Sequence, residues 1–253
     1  MIREGTIAII TGGGKGVGGG IARVFCAAGA KVCINYNSSE AMAQTTLQGI
    51  LDAGGDAFLY KADISDRKQV EAMVAETVRR YGGVDVLVNN AAMQPNRFIA
   101  EYDEDLFKWV WNINIGGYWL ATQACLPWLK KSQCPRIVNI SSVHSKRPTV
   151  FDPAYAMTKA ANRLFTREAA LEFGRDGITV NTIVLGACKI EAKTMQTKFR
   201  VYRLPEEYQG IRFSPRYMAI PEDVGHLAAF LASPEAEKIS GAGIRLDGAS
   251  MLF

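Results

Sequence analysis

Tyr155 and Lys159 stand four residues apart, a spacing that puts both side chains on one face of a helix. A phenol with a pKa of about 10 is a poor proton carrier at neutral pH, and an ammonium beside it favours the phenolate. The pair is a candidate proton donor or acceptor. Thirteen residues before Tyr155 lies Ser142, at the end of a β-rich run, where a hydroxyl can hydrogen-bond a carbonyl oxygen as negative charge grows on it. Y-x-x-x-K alone is a common accident of helices. It gains meaning from a second cluster, the turn Thr11-Gly12-Gly13-Gly14-Lys15-Gly16-Val17-Gly18, set between an apolar run and a helical pattern. Glycines there let the backbone turn sharply and approach a pyrophosphate seated on the positive end of a helix. The spacing G-x-x-x-G-x-G differs from the commoner G-x-G-x-x-G, and the lack of G-K-[ST] disfavours a nucleotide triphosphatase.

The second β-rich run ends in Asn35-Tyr36-Asn37-Ser38. A carboxylate at that place would hold an adenosine ribose 2′-hydroxyl and repel a 2′-phosphate. No acid stands there, while Lys15 together with Asn37 and Ser38 could bind such a phosphate, so the cofactor expected is NADP(H). Asn89-Asn90-Ala91-Ala92 closes the fourth run, and Asn114 falls at a break in a helical pattern; Asn is common in turns, and these two features speak only in combination.

Short β-rich runs alternate with helical patterns along nearly the whole chain, which predicts an α/β fold: a parallel sheet covered on both faces. Seven strands are expected near 6–11, 31–36, 56–62, 85–90, 136–141, 178–185 and 242–247. Helices are expected near 17–28, 39–53, 67–81, 103–131 with a break at 112–114, 153–173 and 222–232. Asp152-Pro153 reads as an N-cap followed by proline at the first helical position, and Gly174 as the stop. Gly19 and Gly20 each cost a helix about 1 kcal/mol against alanine, and the sequence gives no reason for them.

The 253 residues, 48% hydrophobic and 21% charged, are enough for one sizeable domain, and exclude a disordered or disulfide-scaffold chain. A formal charge of +4 is too small for a nucleic-acid footprint. Five cysteines without C-x-x-C spacing indicate reduced thiols and no metal site, and the opening MIREGTIAII is no signal peptide, so a cytoplasmic protein is expected. Trp109 to Leu129 runs for 21 residues without a charge, but Asn112, Asn114, Thr122, Gln123 and Pro127 within it argue for a buried or subunit-interface helix rather than a membrane span.

Taken together these motifs resemble one family, the short-chain dehydrogenase/reductases of about 250 residues, across essentially the whole chain. The matching pieces are Thr11 to Gly18, Asp63-Ile64, Asn89 to Ala92, Asn114, Ser142, Tyr155 to Lys159, and Pro221-Glu222-Asp223-Val224. The resemblance implies a single doubly wound Rossmann-type domain over 1–253, a seven-stranded sheet in the order 3-2-1-4-5-6-7, and a substrate lid over 186–220. It implies a catalytic tetrad of Asn114, Ser142, Tyr155 and Lys159, and a homotetramer. The cofactor would touch Thr11, Gly12, Gly14, Lys15, Gly16, Val17, Gly18, Asn35, Tyr36, Asn37, Ser38, Asp63, Ile64, Asn90, Ala91, Ala92, Tyr155, Lys159, Gly186 and Cys188. Two departures stand out. Leu185-Gly186-Ala187-Cys188-Lys189-Ile190 lacks the family's proline and threonine after strand 6, and Asp247-Gly248-Ala249 replaces its last glycine pair.

The expected chemistry is carbonyl–alcohol interconversion: Ser142 orients the carbonyl, Tyr155 donates the proton, Lys159 lowers the Tyr155 pKa and holds the ribose, and Asn114 carries a water that resupplies the proton. Gln94 and His144, with Ser142 and Tyr155, are the expected substrate residues. Ser141-Ser142-Val143-His144 looks like the family's sugar dehydrogenases, which points to a sugar, polyol or sugar acid; a 3-oxoacyl thioester or a steroid-like cyclic ketone is the alternative. A methyltransferase is disfavoured by the missing acid after strand 2 and the tyrosine–lysine–serine set, and a non-enzymatic NADP(H)-binding regulator is a distant third. Between Cys188 and Tyr217 seven bases face three acids, an excess equal to that of the whole chain, which would draw an anionic substrate to the lid.

Overall fold

The computed structural model describes residues 2–149, 152–190, 218–249 and 251. Seven parallel strands form one sheet in the order β3-β2-β1-β4-β5-β6-β7. They are β1 Ile7–Ile10, β2 Lys31–Tyr36, β3 Asp56–Lys61, β4 Val86–Asn89, β5 Arg136–Ser142, β6 Thr179–Leu185 and β7 Gly243–Leu246. The helices are α1 Gly16–Ala27, α2 Glu40–Asp52, α3 Arg67–Tyr81, α4 Glu104–Trp111, α5 Gly117–Leu129, α6 Pro153–Phe173 and α7 Pro221–Leu231.

Strands covered on both faces bury every side chain, which is why β4, β5 and β6 carry no polar/apolar alternation. The strand pleat then divides the core in two. Ala8 and Ile10 of β1 point with Val88 and Val138 towards Phe25 of α1 and Leu231 of α7. Ile9, Leu87 and Ile137 point the opposite way, towards Met73 of α3, Leu129 of α5 and Phe173 of α6.

Gly20 is explained by packing. A Cβ there would stand 2.6 Å from the carbonyl oxygen of Pro221, and one on Gly225 would stand 2.7 Å from Val24 Cγ2, so α1 and α7 cross at backbone contact. At Gly19 a Cβ would meet Thr46 Oγ1 at 3.4 Å, and nothing in the structure requires glycine. Two expected boundaries shift. Gly174 remains right-handed and opens a short 3-10 turn, and the left-handed stop is Gly177, at φ 72°. The break at 112–114 is a π turn, Asn112–Gly116, that carries the chain from α4 into α5. The uncharged stretch is divided between these elements, and among the described residues no helix is long and apolar enough to cross a membrane.

Of the 186–220 interval, residues 186–190 and 218–220 are described. They are tied together: Lys189 N donates to Ala219 O at 2.7 Å and Ala219 N to Ala187 O at 3.0 Å. Lys193, Lys198, Arg200, Arg203, Arg212 and Arg216, with Glu191, Glu206 and Glu207, lie outside the described residues.

Candidate active site

The glycine turn is locked at the carboxyl edge of the sheet. Thr11 Oγ1 accepts from the backbone N–H of Asn90 at 2.9 Å and of Ala91 at 3.2 Å, and Asn90 Nδ2 donates to Thr11 O at 2.9 Å and Gly12 O at 3.1 Å. β1 and β4 therefore leave the sheet as one unit. Gly12 is left-handed at φ +62°, and a Cβ on it would lie 2.9 Å from Ala91 Cα; one on Gly18 would lie 2.5 Å from Asn90 Nδ2. Only glycine fits this approach. Asn35 departs from its expected role, because its amide faces inward: Oδ1 accepts from Gly12 N at 3.0 Å and Nδ2 donates to Ala62 O at 2.9 Å. Its side chain shapes the turn. A nucleotide fits here on the chemistry of the helix start: α1 has no side-chain cap on its N-cap residue Lys15 and no acid in its first turn. The amides of Gly16, Val17 and Gly18 thus present the positive end of the helix to an anion.

Lys15 Nζ reaches across to Ser39 Oγ at 2.6 Å, over the exposed Asn37 and Ser38. Ser39, one residue past the expected set, is the partner the sequence reading missed; N-cap serines are common before helices, and only the fold brings this one beside Lys15. Tyr36 lies beside Glu40, and burial with that carboxylate raises its phenol pKa. After β3, Asp63 Oδ1 accepts from Ser65 N at 2.8 Å and Ser65 Oγ at 2.6 Å, while Asp63 N donates to Gln69 Oε1 at 2.9 Å. The Ile64 side chain is buried in the core, against Gly117, which leaves only its backbone for a nucleotide. Ala92 is exposed beyond the turn.

The proposed proton-transfer groups converge between β5 and α6. Ser142 ends β5, and its Oγ accepts from His144 N at 3.2 Å, which leaves the hydroxyl proton to donate. Asp152 caps α6 as expected, with Oδ1 accepting from Tyr155 N at 3.1 Å. It does more than cap. The same oxygen accepts from the Tyr102 hydroxyl at 2.5 Å and Oδ2 from Asn96 N at 2.8 Å, so a fully buried carboxylate pins the 96–102 segment to the turn that carries Tyr155. Lys159, also buried, donates from Nζ to Ile140 O at 2.8 Å, and its Nζ lies 5.5 Å from the centroid of the Tyr155 ring. Asn114 is held from every side. Oδ1 accepts from Met93 N at 2.7 Å, Nδ2 donates to Met93 O and Thr158 Oγ1 at 3.0 Å each, and its carbonyl accepts from Asn162 Nδ2 at 3.1 Å. Both amide hydrogens are committed, so a water at Asn114 would have to donate to one of its oxygens.

The charge states correct one expectation. Burial pushes the Tyr155 phenol up to about 12, against the pull of the Ser142 hydroxyl, and pushes Lys159 down to about 7. Desolvation, which penalises both charged forms, outweighs the pull of the ammonium on the phenol, and Nζ is turned to Ile140 O. At neutral pH the Tyr155 phenol keeps its proton, and burial makes Lys159 far easier to deprotonate than an exposed lysine.

Two further expected regions are in place. Gly186 N donates to Leu246 O at 2.9 Å, and a Cβ on Gly186 would lie 2.7 Å from Asp247 Cβ. The segment then folds back over the start of α1, with Ile190 Cγ2 lying 3.5 Å from the point a Gly16 Cβ would occupy. An aliphatic side chain thus stands where the family pattern has a threonine hydroxyl. The Cys188 thiol is half-buried and pushed up to about 11 by burial, with Asp223 and Glu222 nearby, so it is a neutral thiol. His144 Nδ1 lies 3.2 Å from Arg147 O; a carbonyl only accepts, so Nδ1 carries the hydrogen. Burial lowers the His144 pKa, which keeps the ring neutral and Nε2 an acceptor. Gln94 is exposed.

A doubly wound sheet with a glycine turn at its first strand and a serine–tyrosine–lysine set at its fifth defines a nicotinamide-dependent oxidoreductase. A family model described as enoyl-(acyl carrier protein) reductase matches residues 12–249. The chain belongs to the short-chain dehydrogenase/reductase family. It is 36% identical, over 96% of its length and 95% of the relative's, to the 2,5-dichloro-2,5-cyclohexadiene-1,4-diol dehydrogenase LinX of Sphingobium indicum. It is 33% identical, over 98% and 95%, to the hydroxynaphthalene reductase-like protein Arp2 of Metarhizium robertsii, and 32% identical, over 99% and 95%, to 3beta-hydroxysteroid dehydrogenase 1 of Eggerthella lenta. In structure it is similar to a short-chain dehydrogenase from Burkholderia cenocepacia in complex with NADP, with a TM-score of 0.87 and 30% identity over 98% of each chain.

Proposed function

We propose that this protein is an NADP(H)-dependent oxidoreductase that interconverts a secondary alcohol and its ketone on a hydroxylated carbon ring. The observation that carries the reaction is the convergence of Ser142, Tyr155 and Lys159 at the carboxyl edge of the sheet, beside an uncapped helix start. The cofactor supplies the hydride when bound. Ser142, whose oxygen already accepts from His144 N, donates its proton to the substrate oxygen and orients it. Tyr155, held protonated by burial, gives its proton to the alkoxide as it forms. Lys159, one helical turn on, faces the resulting phenolate and would hold the nicotinamide ribose of a bound cofactor.

Preference for NADP(H) rests on Lys15 and Ser39, two donors side by side at the end of β2, and on the NADP complex of the Burkholderia cenocepacia relative. For the substrate, the LinX, Arp2 and 3beta-hydroxysteroid dehydrogenase relatives are each named for a hydroxylated ring. In this chain the apolar side chains of Phe98, Ile99, Ile190 and Met218 are exposed on segments that leave the carboxyl edge, and suit a hydrocarbon ring better than an open polyol. The neutral His144 gives a second hydroxyl an acceptor. Self-association as a homotetramer is part of the same proposal, supported by Trp109, Trp119, Leu164 and Leu171 exposed on α4, α5 and α6.

The test is a panel of cyclic ketones, carbocyclic diols, sugars, polyols and acyl thioesters, followed by nicotinamide absorbance with both cofactors. A ring ketone or ring diol should exceed every sugar by at least tenfold in kcat/KM. A sugar as best substrate would overturn the ring assignment and leave the reaction standing. NADPH binding without turnover of any class would favour the regulator reading.

A further inference from the structure

Tyr118 belongs to no motif named above, yet its phenol lies directly behind Lys159. It is one turn past Asn114, at the second position of α5, and is fully buried. Its hydroxyl donates to Ile140 O at 3.0 Å, the same carbonyl that accepts from Lys159 Nζ at 2.8 Å. With its proton committed to that carbonyl, the phenol oxygen faces Lys159 Nζ at 3.4 Å as an acceptor. Nζ is 5.5 Å from the centroid of the Tyr118 ring and 5.5 Å from that of Tyr155, so the amine sits between two phenols.

We propose that Tyr118 is a positioning residue that holds the Lys159 amine in its ammonium form and fixes its direction towards Tyr155. An ammonium has three N–H donors, and a buried one needs partners for each. Ile140 O and Tyr118 Oη take two of them from the inner side, which leaves the third for the side where Tyr155 stands. The described residues give Lys159 no carboxylate partner, so these dipoles and the two ring faces are what oppose its desolvation. The groups that face Lys159 are few. From α6 there is Tyr155, which Asp152 and the Ser142 hydroxyl influence in turn; from α5 there is Tyr118; and β5 offers Ile140 O, while its Ser141 hydroxyl donates to the Lys159 backbone carbonyl at 2.8 Å.

For the role in turnover this inference rests on the oxidoreductase reading, but the ammonium can be followed without substrate or cofactor. Tyr118→Phe keeps the ring and deletes the acceptor. The hydrogen bond to Ile140 O is lost at any pH, but if the hydroxyl also serves the ammonium its loss costs more where Lys159 is protonated, so the fall in Tm against wild type should be at least twice as large at pH 6 as at pH 9. In a Lys159→Met background the same substitution should give equal falls at both pH values. A hydroxyl with a purely structural role gives a pH-independent fall in both backgrounds, and that result overturns the proposal. With an active substrate in hand, Tyr118→Phe should move the acid limb of kcat/KM for alcohol oxidation upward by half a unit or more, because a weaker ammonium favours the phenolate less. A Tm difference that depends on pH as expected, with no turnover of any substrate, would count against the oxidoreductase reading and leave the positioning role intact.

Discussion

Asp152 joins Tyr102 to Tyr155: one carboxylate oxygen accepts from the Tyr102 hydroxyl at 2.5 Å and from the Tyr155 backbone N–H at 3.1 Å. Its other oxygen accepts from Asn96 N at 2.8 Å, and Asn96 itself is left-handed at φ 58°. A carboxylate can serve three donors, whereas an asparagine amide has one accepting oxygen and two N–H donors of its own. Asp152→Asn therefore sets an N–H against a donor on one side. It should lose about 1–3 kcal/mol of stability and loosen the 96–102 segment. Thermal melts check the first effect. A rise in substrate KM with unchanged cofactor affinity checks the second.

Tyr155→Phe deletes the proton donor and leaves the ring that packs beside Lys159. Turnover should fall by at least a thousandfold while NADPH binding, followed by fluorescence titration, stays within a factor of three. Activity within tenfold of wild type would remove Tyr155 from the mechanism.

Cofactor choice should follow Lys15. Wild type is expected to bind NADPH at least tenfold tighter than NADH, and Lys15→Ala should erase most of that gap by weakening NADPH alone. Ser39→Ala should remove a smaller part, since the hydroxyl brings a hydrogen bond to the phosphate but no opposite charge. Isothermal titration of the three proteins with both cofactors decides it; equal wild-type affinities would refute the assignment.

Lys159 makes stability depend on pH in the absence of cofactor. Its pKa is pushed down to about 7 in the fold, against about 10.4 for an unperturbed lysine, so between those values the unfolded chain binds the extra proton. Stability from this group therefore rises with pH from about 7 to about 10, and the penalty is in full force below pH 7. Lys159→Met abolishes the penalty. The variant should melt higher than wild type at pH 6, and the advantage should shrink steadily towards pH 10. An advantage that is constant with pH would mean that Lys159 is not held in the buried, desolvated state the fold gives it.

The sheet was legible because parallel strands buried on both faces are written as unbroken apolar runs, such as IAII in β1 and VLVN in β4. Tyr155 and Lys159 were legible as a candidate pair from their spacing, whereas Ser142 and Asn114 gained meaning only in combination with the other motifs. What the sequence could not give is what depends on partners far along the chain. Asn35 reads as a ligand beside Tyr36 and proves to support Gly12, because its direction is set by the register of β2 against β1 and β3. Ser39 and Tyr118 are ordinary residues of a cap and a helix until the fold brings Lys15 and Lys159 to them. The sign of the Tyr155 shift was missed for a similar reason: spacing reports that a lysine is near, but not how deeply both groups are buried.

Ala249 offers a test in a backbone that the sequence marks only by a missing glycine. It is left-handed at φ 65° and follows Gly248 at φ 52°, in the turn where Asp247 Oδ1 accepts from Ala249 N at 3.3 Å and Oδ2 from Met251 N at 3.1 Å. For a residue with a Cβ the left-handed region costs about 1–2 kcal/mol, while glycine adds about 0.4–1 kcal/mol of unfolded-chain entropy to be lost on folding. The steric relief is the larger of the two. Ala249→Gly should therefore stabilise the protein by about 0.5–1 kcal/mol, which for a chain of this size raises Tm by about 1–4 °C. Gly248→Ala should do the reverse, since it adds a Cβ at the neighbouring left-handed position. Because Asp247 also backs Gly186, the loop after β6 rests on this turn, and the Gly variant should keep cofactor affinity unchanged if Asp247 still holds both amides. A lower Tm for Ala249→Gly, measured beside Gly248→Ala, would show that the two carboxylate hydrogen bonds, and not the residue type, set the conformation of the turn.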